Sequence, residues 1–276
     1  MHNKNNLWLP RLLIALSFAF VLLMLAAPLS VVLAEAFSSG WELYLKAVTD
    51  HYALRAAQLT VIATLSSVLL NVAFGLTAAW AVTRFSFRGK GLLTTLIDIP
   101  FAVSPVIAGL VFILLFGRLS PLHSFLDAYN LRIVFAVPGI VLVTIFVTLP
   151  FVAREIIPVL EARGTDEEQA AALMGAGFFR IFRRITFPHI RWALLYSLIL
   201  CAARAMGEFG AVSVVSGHLR GKTNTLPLHV EILYSEYQFT AAFAVSSVLA
   251  AAAIAILVAR NIVELAARKE KKSNVR

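Results

Sequence analysis

One cysteine, Cys201, occurs in the whole chain, which excludes an internal disulfide and any cysteine-based metal cluster. It lies in an apolar run, where packing is its expected use. Charge is scarce as well: Asp, Glu, Lys and Arg make up 14% of the residues, against about 25% in a typical soluble domain. No G-x-x-x-x-G-K-[ST] stretch is present, so the chain has no loop to cradle nucleotide phosphates. No nucleophile with a base and no metal-ligand spacing stands out, so no catalytic residue and no metal ligand is assigned. What the 276 residues do hold is apolar: 60% are hydrophobic, the composition of a membrane protein.

Six apolar segments, at about 12–34, 58–82, 92–116, 133–153, 192–215 and 240–263, each approach the roughly 20 residues a helix needs to cross hydrocarbon. Ala34–Ala36 could be read as a signal cleavage site. The apolar run before it exceeds the ~7–15 residues of a signal core, so the first segment reads as a retained anchor. The net charge of +9 has a topological explanation. Lys and Arg number two before the first segment, three in 83–91, six in 154–191 and six from Arg260 onward, against two in each alternate connection. That division, 17 against 6, places both termini and the long 154–191 connection in the cytoplasm, and leaves nothing to support nucleic-acid binding. The expected architecture is all-α and polytopic, with about six transmembrane helices in a domain 12–263, a cytoplasmic N-terminus 1–11 and a basic cytoplasmic tail 264–276.

Two spans are irregular. "DIPFAVSPVIAGL" places Asp98, Pro100, Pro105 and Gly109 close together. Each proline removes a helix hydrogen bond, giving either an ordinary kinked helix or a broken one lining a pathway. "CAARAMGEFGAVSVVSG" carries Arg204 and Glu208. Twelve residues past Trp192, Arg204 should lie roughly 18 Å into the bilayer, and Glu208 one turn on is its expected partner. The pair either fixes packing or lines an anion's route. Between the fifth and sixth segments, Gly217, Gly221, Thr223, Asn224 and Pro227 suggest turns, and Leu228–Tyr237 a short amphipathic helix at the outer interface. That connection reads as a surface loop or a contact for an external partner, with His218 and His229 as polar loop residues.

The polar stretch "TDEEQAAALMGAGFFRIFRRITFPHI", residues 165–190, interrupts the grease. Thr165 and Glu168 form a capping-box pattern, so a helix should start near Asp166. Gly175 and Gly177 should end or bend it. A second helix, Phe178 to Ile185, should set Phe178, Ile181, Phe182 and Ile185 opposite Arg180, Arg183 and Arg184, with Pro188 closing it. The result is an elbow that either lies on lipid or docks in another protein; its acidic first turn argues for a protein socket.

Gln169-Ala170-Ala171, three residues, Gly175, nine residues, Ile185, one residue, Phe187-Pro188 resembles the EAA loop of ABC importer permeases, E-A-A-x3-G-x9-I-x-L-P. Gln169 stands where the family has glutamate, and Phe187 where it has leucine. The resemblance implies the type I importer permease (MetI-like) fold. It also implies an ATPase-coupling loop carried by Gln169, Ala170, Ala171, Gly175, Gly177, Phe178, Ile185 and Pro188, and no enzymatic activity in this chain. ATP and magnesium would sit on the partner ATPase, and this chain would carry no cofactor.

The runs 99–110 and 203–211 resemble the sulfate and molybdate branch. Residues 149–161 and 216–238 resemble the W type of sulfate/thiosulfate permease. That resemblance implies a bacterial inner-membrane location, a T-type permease subunit as heterodimer partner, two ATPase copies and a periplasmic sulfate- or thiosulfate-binding protein. Asp98, Pro100, Pro105, Arg204 and Glu208 are the candidate translocation path. Molybdate or tungstate import, and an ion-coupled secondary transporter, remain the alternative readings.

Overall fold

The computed structural model describes residues 8–273, with side chains to residue 267. The proposed N-terminal segment 1–11 and tail 264–276 therefore fall partly outside the described residues. The described residues are helical without strands: α1 Trp8–Phe37, α2 Trp41–Val48, α3 His51–Arg84, α4 Lys90–Ala102, α5 Pro105–Phe116, α6 His123–Ala128, α7 Val137–Thr148, α8 Pro150–Arg163, α9 Asp166–Leu173, α10 Phe178–Ile181, a π turn Phe182–Thr186, α11 Phe187–Met206, α12 Gly210–Ser216, α13 Leu226–Ser235 and α14 Phe239–Ser273. Among them five helical runs are long and apolar enough to cross a membrane, and six if the bent pair α4–α5 counts as one span.

That pair bends by 111°. Val103 and Ser104 are extended, and Pro105 opens α5. A proline restricts its predecessor to extended conformations and is tolerated at a helix's first position, so the chain turns there and restarts. Pro100, by contrast, is accommodated and buried within α4.

α3 is the central post, with α7, α8, α11 and α13 packed around it. One core joins Leu59 and Ala63 of α3 to Ile140, Val143 and Val147 of α7 and Ala211, Val212 and Val215 of α12. A second, lower down the same post, joins Ala79 to Val152, Ile156 and Leu160 of α8 and Ile190 of α11. Small residues set the spacing. A Cβ at Gly75 would lie 2.7 Å from Val152 Cβ, and one at Gly109 would lie 2.8 Å from the Ala211 carbonyl oxygen. Without a hydrophobic driving force between helices in lipid, such close contacts and buried hydrogen bonds hold a bundle together. Asn71 Nδ2 supplies one, donating to Thr148 Oγ1 at 2.7 Å.

α1 is almost wholly exposed and leans on α14, as a lipid-facing helix should. The connection before α14 differs from the expected interfacial surface helix. Its helix begins at Leu226 and buries Leu226, Leu228, His229 and Leu233 against α3 and α14, and the Leu226 N–H donates to Thr60 Oγ1 at 2.8 Å. His229 is buried, and its burial pushes the imidazole below the usual histidine range. Cys201 is buried in the bundle.

Candidate functional site

α9 opens after Gly164, and its first turn holds Asp166, Glu167 and Glu168 at the positive end of its dipole. The expected capping box does not form. Thr165 makes no side-chain cap; its hydroxyl accepts from Gln169 Nε2 at 2.8 Å. Glu168 reaches sideways instead. Arg84 Nε donates to its Oε2 at 2.7 Å, Arg84 Nη2 to its Oε1 at 3.0 Å, and Thr186 Oγ1 to the same Oε1 at 2.7 Å. A forked guanidinium bond outcompetes a neutral backbone amide for a carboxylate, which explains the failed box. Glu167 points to His189 of α11, with Oε2 2.7 Å from Nε2, and that bond holds its carboxyl below the usual range.

The elbow closes by backbone. The Gly175 N–H donates to Ala172 O at 2.9 Å and the Ala176 N–H to Ala171 O at 3.0 Å, the two bonds of a Schellman cap. Gly175 carries φ +82, the left-handed value this cap requires, while an added Cβ would meet nothing within 4 Å. Gly177 has φ −71 and open space, so any residue fits there. The two glycines, alike in sequence, are unlike in structure.

Pro188 does not close the second helix. The Phe187 N–H bonds to Phe182 O, five residues back, and the helical path continues from Phe178 to Met206. One widened turn moves the carbonyls that the proline ring would strike and leaves no amide orphaned. The faces sort as expected in part: Ile181, Phe182 and Ile185 are half-buried and the three arginines exposed, but Phe178 is 66% exposed. Its ring still meets Trp80 edge-on at 5.6 Å, beside Phe182 at 5.8 Å.

At the tip Leu173 is 90% exposed and Met174 81%. Beside them an open concavity of about 790 Å³ is lined by Gly175, Gly177, Phe178, Phe179, Arg180, Arg183 and Arg184. Gln169 and Ala170 face solvent and Ala171 packs inward. The tip thus sets two exposed apolar side chains beside a basic concavity.

The membrane candidates divide. Arg204 Nη1 lies 2.5 Å from Glu208 Oε2; the Glu208 side chain is 1% exposed and that of Arg204 35%. They do not share one helix as the spacing suggested. α11 ends at Met206, and Glu208 stands in the break, where its Oε1 accepts the Ala211 N–H of α12 at 2.8 Å. This break meets the other: a Cβ at Gly210 would lie 3.1 Å from Pro105 Cβ. Arg204, Glu208 and Pro105 thus belong to one pair of adjoining helix breaks. Asp98 pairs instead with Arg154 of α8 at 2.7 Å, and that guanidinium covers the Phe101 ring at 5.2 Å. Arg84, Trp80, Thr186, His189 and Arg154 were missed in the sequence, because their partners lie far along the chain (84 residues for Arg84 and Glu168) and no local pattern joins them.

Residues 71–271 match the family described as binding-protein-dependent transport system inner membrane component. The chain is 49% identical over 253 residues to the sulfate transport system permease protein CysW of Synechocystis sp., covering 92% of both chains. It is 48% identical to the CysW of Escherichia coli, covering 92% of this chain and 86% of that one. To the sulfate transport system permease protein CysT of Salmonella typhimurium it is 34% identical, covering 89% and 88%. Among solved structures, a bacterial ABC transporter involved in alginate import shares the fold, with TM-score 0.78 at 15% identity over 93% of this chain and 95% of that one.

Proposed function

This chain belongs to the binding-protein-dependent transport system inner membrane component family, and from that premise we propose that it is the permease subunit of an ATP-driven sulfate importer. It is a transport subunit and not an enzyme, as its relatives' names as permease proteins support. Thiosulfate, a tetrahedral dianion of similar size, would share the route. It would sit in a bacterial inner membrane beside a related permease of the T type, receive its anion from a periplasmic binding protein, and borrow its motor from two ATPase copies. ATP and magnesium would be held there.

The observation that carries the reading is the elbow: a Schellman-capped joint with Leu173 and Met174 projecting from the side the charge count assigns to the cytoplasm. Closing of the ATPase pair on ATP would drag this tip and reorient the bundle. In the membrane, Arg204 offers donors to a passing oxyanion, while Glu208 cancels the net charge that would otherwise trap it.

Labelled sulfate uptake in a strain deleted for this gene is the test. The wild-type chain restores uptake; Gly175→Asp inserts normally but loses both co-purification with the ATPase and uptake. Normal uptake by that variant overturns the coupling role, and competition by molybdate without competition by thiosulfate overturns the substrate. Uptake that proceeds with no ATPase present overturns the importer reading itself.

A further inference from the structure

Gln169, at the first position of the coupling motif, spends its amide inside its own helix on Thr165. The carboxylate one residue earlier does something different. Glu168 takes both forks of Arg84 and the hydroxyl of Thr186, and the same guanidinium donates through Nη1 to the Leu160 carbonyl at 3.2 Å. One carboxylate therefore joins the first turn of α9 to the last turn of α3, the end of α8 and the π turn at the entry to α11. The side chains of Arg84 and Glu168 are only 8% and 14% exposed, so water competes poorly for these bonds and the joint is stiff. Trp80, one turn before Arg84, buttresses it: Arg84 lies over its ring at 5.8 Å, and Phe178 and Phe182 abut the same ring. Glu167 adds an outer strap to α11 through His189.

We propose that Glu168, held by Arg84 and Thr186, is the positioning residue through which displacement of the elbow turns α3 and α11 together. The tip at Leu173 and Met174 grips the motor, and Glu168 passes the motion inward. A tip without this strut still docks, but α9 swings on its backbone without carrying the membrane helices. This rests on the coupling role proposed above.

The experiment reconstitutes the assembled importer in liposomes and measures sulfate moved per ATP hydrolysed, for wild type, Glu168→Gln, Thr186→Val, Arg84→Glu and the swap Arg84→Glu with Glu168→Arg. Glu168→Gln keeps its ATPase subunits and its hydrolysis, while sulfate per ATP falls by about tenfold. Thr186→Val, which removes one hydrogen bond and leaves the ion pair, lowers the ratio by about threefold. The swap recovers part of what Arg84→Glu alone loses, which assigns the effect to the pair itself, while the fall in sulfate per ATP at unchanged assembly and hydrolysis is what a merely structural role would not produce. An unchanged ratio in Glu168→Gln overturns the strut while leaving the importer reading intact. Should that variant fail to assemble, an unchanged ratio in Thr186→Val overturns it equally. Sulfate uptake by wild type without ATP overturns the importer reading, and the strut with it.

Discussion

Two arginine–glutamate pairs, Arg84–Glu168 and Arg204–Glu208, use the same chemistry to opposite ends. The first spans 84 residues, is bidentate, recruits Thr186 and binds four helical segments at one point. The second spans four residues and stands in a gap between α11 and α12. One stiffens a joint outside the membrane. The other stabilises a break inside it, where Glu208 gives α12 the hydrogen-bond acceptor that the interrupted helix lacks. On the reading proposed above, the first would act as a stiff lever and the second as part of an already broken wall.

The comparison is broken most severely at the membrane pair. Glu208→Ala leaves the Ala211 N–H without its acceptor and the part-exposed Arg204 without its partner, and should cost about 1–3 kcal/mol in the melting of the purified complex. Replacing both partners with apolar residues, Arg204→Met with Glu208→Leu, should restore most of that stability while sulfate uptake stays low. A stable Glu208→Ala protein would mean that the break has no need of its carboxylate.

The elbow yields a smaller effect that separates its two glycines. Gly175→Ala must hold a side chain at φ +82 and should cost roughly 1–2 kcal/mol, whereas Gly177→Ala, with φ −71 and open space, should leave melting and uptake unchanged. Equal effects at both positions would show that the elbow relies on flexibility and not on a left-handed cap.

The smallest expected effect is a pH dependence of the outer strap. His189 holds the Glu167 carboxyl below its ordinary value of 4.5. A carboxylate favoured in the fold stabilises it above that value, and the contribution disappears as pH falls through the lowered one. Glu167→Gln should therefore melt slightly below wild type at neutral pH and coincide with it in strong acid. Because Glu167 faces water, the difference is small. A gap that persists in acid would assign the strap's effect to packing.

Much of this was legible in the chain and some was not, for reasons that can be assigned to particular residues. The existence of the apolar helices and the bend at the elbow follow from hydrophobic runs and glycine spacing, both local signals, whereas the fifth predicted span, 192–215, is interrupted after Met206. The capping box misled because Thr165 and Glu168 are a good local pair until Arg84 arrives from another helix. Pro188 misled because a π turn costs no sequence signature. His229 reads as a loop residue until α3 and α14 close over it. The Arg204–Glu208 pair was foreseeable, since isolated charges in lipid must find partners and the nearest was four residues on.

The sequence by itself determined that this is a helical membrane protein whose apolar spans are interrupted by a polar, glycine-bent stretch, and that no G-x-x-x-x-G-K-[ST] stretch is present, because hydrophobic length and motif spacing act over one segment at a time. Only the tertiary structure decided what the elbow is fastened to, and that the breaks at Pro105 and Glu208 adjoin. Those outcomes depend on which residues meet across separate helices, and on a competition for the Glu168 carboxylate that a buried guanidinium wins over the backbone.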